Sequence, residues 1–93
     1  MTLEEFRASA EAPTASQPLS ALWHDARANW KRAHECVQEG SDRESAWVHA
    51  YLHRKEGDEG NAQYWYARAG RKMPKISLPE EWAAIAGELL RPL

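Results

Sequence analysis

The chain has little of what β-sheets, disulfide frameworks and membrane spans require. Of its 93 residues only four are valine or isoleucine, and only one, Cys36, is cysteine. Few β-branched residues argue against a sheet, and a single cysteine cannot form an intramolecular disulfide. No apolar run approaches the roughly 20 residues that cross a bilayer. Residues 1–6 lack the hydrophobic stretch of a secretory signal peptide, so we expect a cytoplasmic location and no membrane association.

The abundant residues indicate a single small helical domain. Alanine occurs sixteen times and five of the nine aromatic residues are tryptophan. Alanine is the strongest helix former, and a chain of this length supports only one core. We therefore predict an all-α protein with a flexible N-terminal arm over 1–17 and one helical domain over 18–93. The arm is expected to be flexible because residues 7–18 contain two prolines and no large apolar side chain. The alternative is that residues 1–6 form one helical turn that docks through Leu3 and Phe6.

Apolar residues recur at helical spacing in five segments of the domain. This spacing predicts helices over 18–28, 30–39, 41–56, 58–70 and 78–90. The connections between the first four are short, so consecutive helices should fold back on each other as antiparallel neighbours. The predicted architecture is two antiparallel helical hairpins followed by a C-terminal capping helix, with Trp82 as the anchor of that last helix.

Polar residues and glycines mark the boundaries of these helices. Asn29 and Asp58 are typical N-caps, and Gly40 is expected to supply a left-handed C-terminal stop. The S-x-x-E pattern occurs at 41–44 and again at 77–80. In such a capping box the hydroxyl and the carboxylate each satisfy a free backbone N–H group.

The fourth helix and its approach resemble the second half of a tetratricopeptide repeat. The resemblance is carried by the spacing of Gly57-Asp58, Ala62, Tyr66, Ala69 and Pro74. The third helix is similar to the first half of such a repeat through Trp47, Ala50 and Leu52. The resemblance implies stacked helical hairpins, which commonly serve as scaffolds for binding other molecules.

A second resemblance covers residues 46–66. The dense string from Ala46 to Asp58, followed by Asn61-Ala62 and Tyr64-Trp65-Tyr66, is similar to a small family of mostly bacterial proteins without an assigned activity. This resemblance implies no substrate, cofactor or catalytic residue.

Two histidines, His49 and His53, lie four residues apart and should share one face of the third helix. Imidazoles at this spacing are able to ligate a metal ion, but a zinc site needs at least one further protein donor. Candidate donors on other helices are His24, Asp25, His34, Glu35 and Cys36. The alternative is that each histidine is half-buried, presents its ring to an aromatic neighbour and gives one ring nitrogen to a backbone carbonyl or carboxylate. We expect no resident metal or other cofactor on this basis.

A set of polar and aromatic residues on the third and fourth helices is the predicted binding site. On facing helices these side chains would line a groove that clamps a carboxylate or phosphate. The set comprises His49, His53, Arg54, Asn61, Tyr64 and Arg68. The leading hypothesis is a non-catalytic module that binds a protein, a peptide or a small anion. The alternative hypothesis is a small metal- or ligand-binding enzyme that uses His49 and His53, completed by His24 or His34.

The charge distribution argues against nucleic acid as a partner. Residues 68–75 carry a local charge of +4, whereas the rest of the chain sums to −6. Cations near a helix C-terminus are expected from the helix dipole alone, and nucleic-acid binding usually needs a broader basic surface. No catalytic set is recognisable, because the sequence has no nucleophile elbow and no glycine-rich phosphate loop. Homodimerisation remains an expectation, since two hairpins leave one flank unpaired and the tryptophans are numerous.

Overall fold

The structure is a computed structural model that describes residues 1–91. The regular secondary structure of that part of the chain is entirely α-helical. Their bounds are α1 (Leu3–Ala8), α2 (Gln17–Ala26), α3 (Trp30–Val37), α4 (Arg43–Glu56), α5 (Glu59–Arg68) and α6 (Leu78–Leu89). The prediction of an all-α protein is therefore confirmed. Within residues 1–91, no helix combines the length and the apolar character needed to pass through a bilayer.

Three of the predicted helix starts are confirmed by their hydrogen bonds. The Asn29 side chain accepts from the backbone N–H of Arg32, and Asp58 accepts in the same way from Asn61. The pattern at 77–80 forms both halves of a capping box, in which the Ser77 hydroxyl and the Glu80 side chain each bond the other residue's backbone N–H. These bonds satisfy donors that the first helical turn leaves free.

The start of α4 differs from the prediction. Its N-cap is Asp42, whose Oδ2 accepts from the backbone N–H of Ser45 at 2.9 Å, so no capping box forms at 41–44. Gly40 is not among the described residues with positive φ. It is needed for space instead, because a Cβ atom at Gly40 would lie 2.6 Å from the Ser45 side chain.

Helix α4 is the central element of the fold. It packs against α2, α3, α5 and α6, and nine consecutive residues over 45–53 are buried. A helix that is buried on all sides belongs in the core, whereas a surface helix buries one stripe. The most extensive contacts join α2 with α3 and α4 with α5. Because α4 is enclosed in this way, its two histidines lie inside the protein.

Helix α6 is held onto the domain by Trp82, as the sequence predicts. The indole is 4% exposed, and its Nε1–H donates to the carbonyl of Leu22 on α2 at 3.0 Å. A buried indole N–H needs such a partner, so this bond fixes both the depth and the direction of the ring. Ile85 and Ala86 extend the buried stripe of α6.

The start of the N-terminal segment packs onto the domain, which agrees with the alternative of a docked helical turn at residues 1–6 and not with a flexible arm over all of 1–17. Helix α1 has a complete capping box between Thr2 and Glu5, and Phe6 is 1% exposed. The Phe6 ring stacks on Trp82, with 5.8 Å between the ring centroids. One phenylalanine thus supplies an anchor that the composition of residues 7–18 does not reveal.

Replacing Phe6 by alanine is expected to lower the free energy of unfolding by about 3 kcal/mol, the usual cost of removing a buried phenylalanine. Urea unfolding followed by circular dichroism measures this change. The matched control is Met1→Ala, because Met1 is 72% exposed and should have little effect. A Phe6→Ala loss as small as that of the control would show that residues 1–17 are a flexible arm after all.

Candidate functional site

Three histidines from two helices meet on one side of α4. His34 comes from α3, and His49 and His53 come from α4. One ring nitrogen from each lies within 4.8 Å of the corresponding nitrogen of the other two. The Nε2 atoms of His34 and His49 are 3.0 Å apart. We refer to His34, His49 and His53 as the histidine cluster.

Two tryptophans hold the histidine cluster in place. The Trp30 indole donates to the Leu52 carbonyl at 2.8 Å, and the His34 ring stacks on it with 4.9 Å between centroids and an interplanar angle of 9°. On the other side, the His49 ring stacks on Trp65 of α5 at 4.0 Å. Stacking restricts the orientation of an imidazole and therefore of its two nitrogens. Helices α3, α4 and α5 together define the geometry of the cluster.

His53 has a carboxylate partner. Its Nδ1 lies 3.0 Å from Oε1 of Glu56, one turn along α4. A carboxylate only accepts, so Nδ1–H is the donor of this contact, and Nε2 is the ring nitrogen that remains for another group. In metal sites, a ligating histidine almost always gives its second nitrogen to such a carboxylate, carbonyl or water. Glu56 therefore stands in the position of an outer-shell partner.

Burial keeps His34 and His49 in their neutral form. It lowers the pKa of His49 to about 4, and positive charge on His34 or His53 would lower that pKa further. The pKa of His34 is also lowered, chiefly by burial and then by His53. At neutral pH the rings of His34 and His49 are therefore uncharged, which is the form of imidazole that binds metal ions.

One nitrogen of the cluster lacks a hydrogen-bond partner. His49 is 4% exposed, and its Nδ1 is the buried side-chain atom without a bond among the described residues. The alternative of a packed histidine predicts an aromatic neighbour and a carbonyl or carboxylate partner for each ring. The aromatic neighbours are present, and His53 has its carboxylate partner in Glu56. The carbonyl or carboxylate partner is missing for His34 and His49, whose Nε2 atoms contact each other. An unpaired buried polar group is costly. Nδ1 is not the His49 nitrogen that faces His34, so an ion held between His34 and His49 would leave it without a partner.

The spacing of the cluster is compatible with a zinc ion. Zinc–imidazole bonds of 2.0–2.1 Å place neighbouring ligands of a tetrahedron about 3.3 Å apart. The separation of 3.0 Å between the Nε2 atoms of His34 and His49 is close to this value. All three nitrogens lie within 4.8 Å of one another, so a small side-chain rotation would bring the set to the spacing of zinc ligands. Three protein ligands leave the fourth position of the tetrahedron open. His34 is only half-buried, so solvent reaches the cluster from the α3 side.

Known proteins offer no further guide to this cluster. No family model, no curated protein and no solved structure matches the chain. The interpretation of the histidine cluster therefore rests on its own geometry and chemistry.

The structure separates Arg54 and Asn61 from the histidines of the predicted groove. Arg54 donates from Nη1 to Oε1 of Glu81 at 2.7 Å and also bonds the carbonyl of Ile76. The Asn61 side-chain amide donates to Asp58 at 2.7 Å, within the cap of α5. Both side chains are thus engaged in contacts within the protein.

Tyr64 and Arg68 lie beside the cluster, on the outer side of Trp65. Arg68 donates to the Tyr64 hydroxyl at 3.4 Å, and its guanidinium lies 5.5 Å from the centroid of the Trp65 ring. Tyr64 is 54% exposed. Three of the six residues predicted for the groove contact Trp65: His49 within the protein, and Tyr64 and Arg68 at its surface. His53 stacks on His49.

The sequence does not distinguish His34 from the other candidate donors for the metal site. His24 lies against Trp23 in an edge-to-face arrangement and takes no part in the histidine cluster. Cys36 is buried, with its thiol 3.6 Å from the Ser20 hydroxyl. One sequence feature does point to His34: it follows Trp30 by four residues, so both rings lie on the same face of α3. That spacing indicates a stacked pair, but it does not show which helix the pair faces.

Proposed function

We propose that this protein binds a divalent transition metal ion, with zinc as the leading candidate, through His34, His49 and His53. The observation that carries the proposal is the convergence of three imidazole nitrogens within 4.8 Å. Imidazole is a good ligand for zinc, copper, iron and nickel. Three histidines with an open fourth position are typical of catalytic zinc sites, in which that position holds water or substrate.

Two further features are those that a metal site requires, although a packed aromatic core shares both. Glu56 accepts from His53 in the way that outer-shell carboxylates orient metal-ligating histidines. The Trp30 and Trp65 rings hold His34 and His49 from opposite sides before any ion arrives. When side chains are already ordered, ion binding loses little free energy in fixing their orientation.

A zinc titration of the chelator-treated full chain, prepared without a histidine tag, tests the proposal. We expect one zinc ion per chain with a dissociation constant of about 1 µM or tighter, which corresponds to about 8 kcal/mol. Cobalt(II) in the same site should give the intense visible absorption of tetrahedral coordination. The proposal would be contradicted if zinc showed no saturable binding at concentrations up to about 100-fold above that dissociation constant.

Replacing Glu56 by glutamine is expected to weaken zinc binding by about 10-fold, because loss of an outer-shell partner typically costs 10–100-fold in metal affinity. Glu59→Gln is the matched control, since it removes the same charge from an exposed residue nearby on α5. Isothermal titration calorimetry compares the two. Equal affinities in both variants would show that Glu56 does not orient His53 toward a metal.

The helical scaffold that presents this site is proposed to be tetratricopeptide-like. In this arrangement α2 with α3 and α4 with α5 form two antiparallel hairpins, and α6 is the terminal cap. The proposal is supported by the extensive packing within each pair. It is also supported by the complete burial of Ala33, Ala50 and Ala62, since small residues allow close approach of helix axes.

A second candidate function is recognition of an acidic peptide or protein segment at the Tyr64–Arg68 surface. It is favoured by the exposure of Tyr64 and by the neighbouring guanidinium of Arg68. The two functions are separable by mutation. Tyr64→Ala and Arg68→Gln should leave zinc affinity unchanged, because neither side chain offers a ligand to the histidine cluster, and both should reduce binding of an acidic segment.

A further inference from the structure

A cleft of about 760 Å³ opens on a different part of the protein, where α1, α2, α4 and α6 meet. Its floor is formed by three buried side chains, Asp25, Tyr51 and Trp82. Its rim carries three exposed cations, Arg7, Arg27 and Lys55. We call this feature the rim-cation cleft. Its volume falls in the range of small-molecule sites, which is about 300–1,000 Å³.

The cleft has an excess of positive charge. The Lys55 ammonium lies 2.8 Å from Oδ1 of Asp25, and the Tyr51 hydroxyl donates to Oδ2 at 2.8 Å, so the one acid of the cleft is already paired. Within residues 1–91, Arg7 and Arg27 form no ion pair with a carboxylate. Two guanidinium charges therefore remain uncompensated in a chain whose overall charge is −2.

The two arginines are held in place by the protein. Arg27 lies 3.7 Å over the Trp23 ring and donates to the carbonyls of Trp23, Arg7 and Ser9. Arg7 lies 4.7 Å over the Trp82 ring. Stacking on Trp82 leaves the edge of the Arg7 guanidinium to face an anion, and that edge matches the geometry of carboxylate and phosphate oxygens. Both Nη atoms of Arg27 already donate to carbonyls, so Arg27 contributes chiefly its positive charge. The cations are thus fixed beside an aromatic and apolar floor.

We propose that the rim-cation cleft binds a small molecule that combines an anionic group, carboxylate or phosphate, with a flat apolar body. The anionic group would lie between Arg7 and Arg27, and the apolar body would pack near Trp82 and the first turn of α6. This site is independent of the histidine cluster. It also differs from the groove predicted from the sequence, because none of that groove's residues lines it.

Three naphthalene probes test the proposal on the isotope-labelled full chain by NMR. 1-Naphthyl phosphate and 1-naphthoate carry the two anionic groups on the same flat body, and 1-naphthol is the neutral reference. We expect the better anion to bind at least 10-fold tighter than the neutral probe, with shifts at the amides of Arg7, Arg27 and Lys55 and at the Trp82 indole N–H. The comparison of the two anions decides between phosphate and carboxylate.

Two substitutions at Arg7 and one control complete the experiment. Arg7→Gln is expected to weaken the better anion about 10-fold, Arg7→Lys should retain most of the affinity, and Arg32→Gln should have no effect because Arg32 lies outside the cleft. Near-ultraviolet circular dichroism verifies that each variant is folded. Equal affinity for the neutral probe, shifts confined to other residues, or no binding at millimolar concentration would overturn the proposal.

Discussion

The variant His34→Gln is expected to bind zinc at least 100-fold more weakly than the unmodified chain. His34 supplies one of the three nitrogens of the histidine cluster, and its Nε2 lies 3.0 Å from that of His49. Since loss of an outer-shell partner alone costs 10–100-fold in metal affinity, loss of a direct ligand should cost at least the upper end of that range. His34 is half-buried, so its replacement should leave the fold intact. Calorimetric zinc titration measures the difference.

The chain contains its own control for this experiment. His24 is the one histidine outside the cluster, where it packs edge-to-face against Trp23. His24→Gln should therefore retain the zinc affinity of the unmodified chain, and His53→Gln should lose it as His34→Gln does. If His24→Gln weakens binding as much as His34→Gln, zinc is bound elsewhere and the proposed site is wrong.

The second large effect is expected at a buried ion pair between α4 and α6. Glu81 is 1% exposed and accepts from Arg54 at 2.7 Å and from the Tyr66 hydroxyl at 2.6 Å. Arg54→Met would leave the Glu81 charge buried and without its cation, and removal of one partner from such a pair costs about 3–5 kcal/mol. This is a large part of the stability of a small domain. Urea unfolding should show the loss directly.

A double variant separates the ion pair from simple packing. Arg54→Met combined with Glu81→Gln removes the charge together with its partner, and the amide oxygen still accepts from Tyr66. We expect the double variant to be more stable than Arg54→Met alone, because the uncompensated charge is gone. A loss below about 1 kcal/mol for Arg54→Met would contradict this account, because it would show that the buried Glu81 carboxylate does not depend on Arg54. Neither variant should change zinc affinity.

The helices that the sequence predicts well are those with a local signal. Apolar spacing and N-cap residues identify α2 to α6, because both depend on residues a few positions apart. For α1, the sequence supports a docked helical turn only as the alternative to a flexible arm. Six residues are too few for a stable isolated helix, and α1 depends on the contact of Phe6 with Trp82, which lies at the other end of the chain.

The candidate site follows the same division. The pairing of His49 with His53 follows from their spacing on one helix. His34 joins them only through the packing of α3 on α4, which a single sequence does not specify. Arg54 is attractive as a ligand residue because its sequence neighbours are polar, yet its partner Glu81 is contributed by α6. Ligand residues were thus predictable within a helix and not between helices.

The most direct test of the metal proposal is a long-range ¹H–¹⁵N NMR spectrum of the four histidine rings, recorded before and after one equivalent of zinc. Zinc binding at the proposed site would shift the ligating nitrogens of His34, His49 and His53 and leave the His24 ring unchanged. Four unshifted rings, or a shift that involves His24 in place of a cluster member, would contradict a three-histidine zinc site.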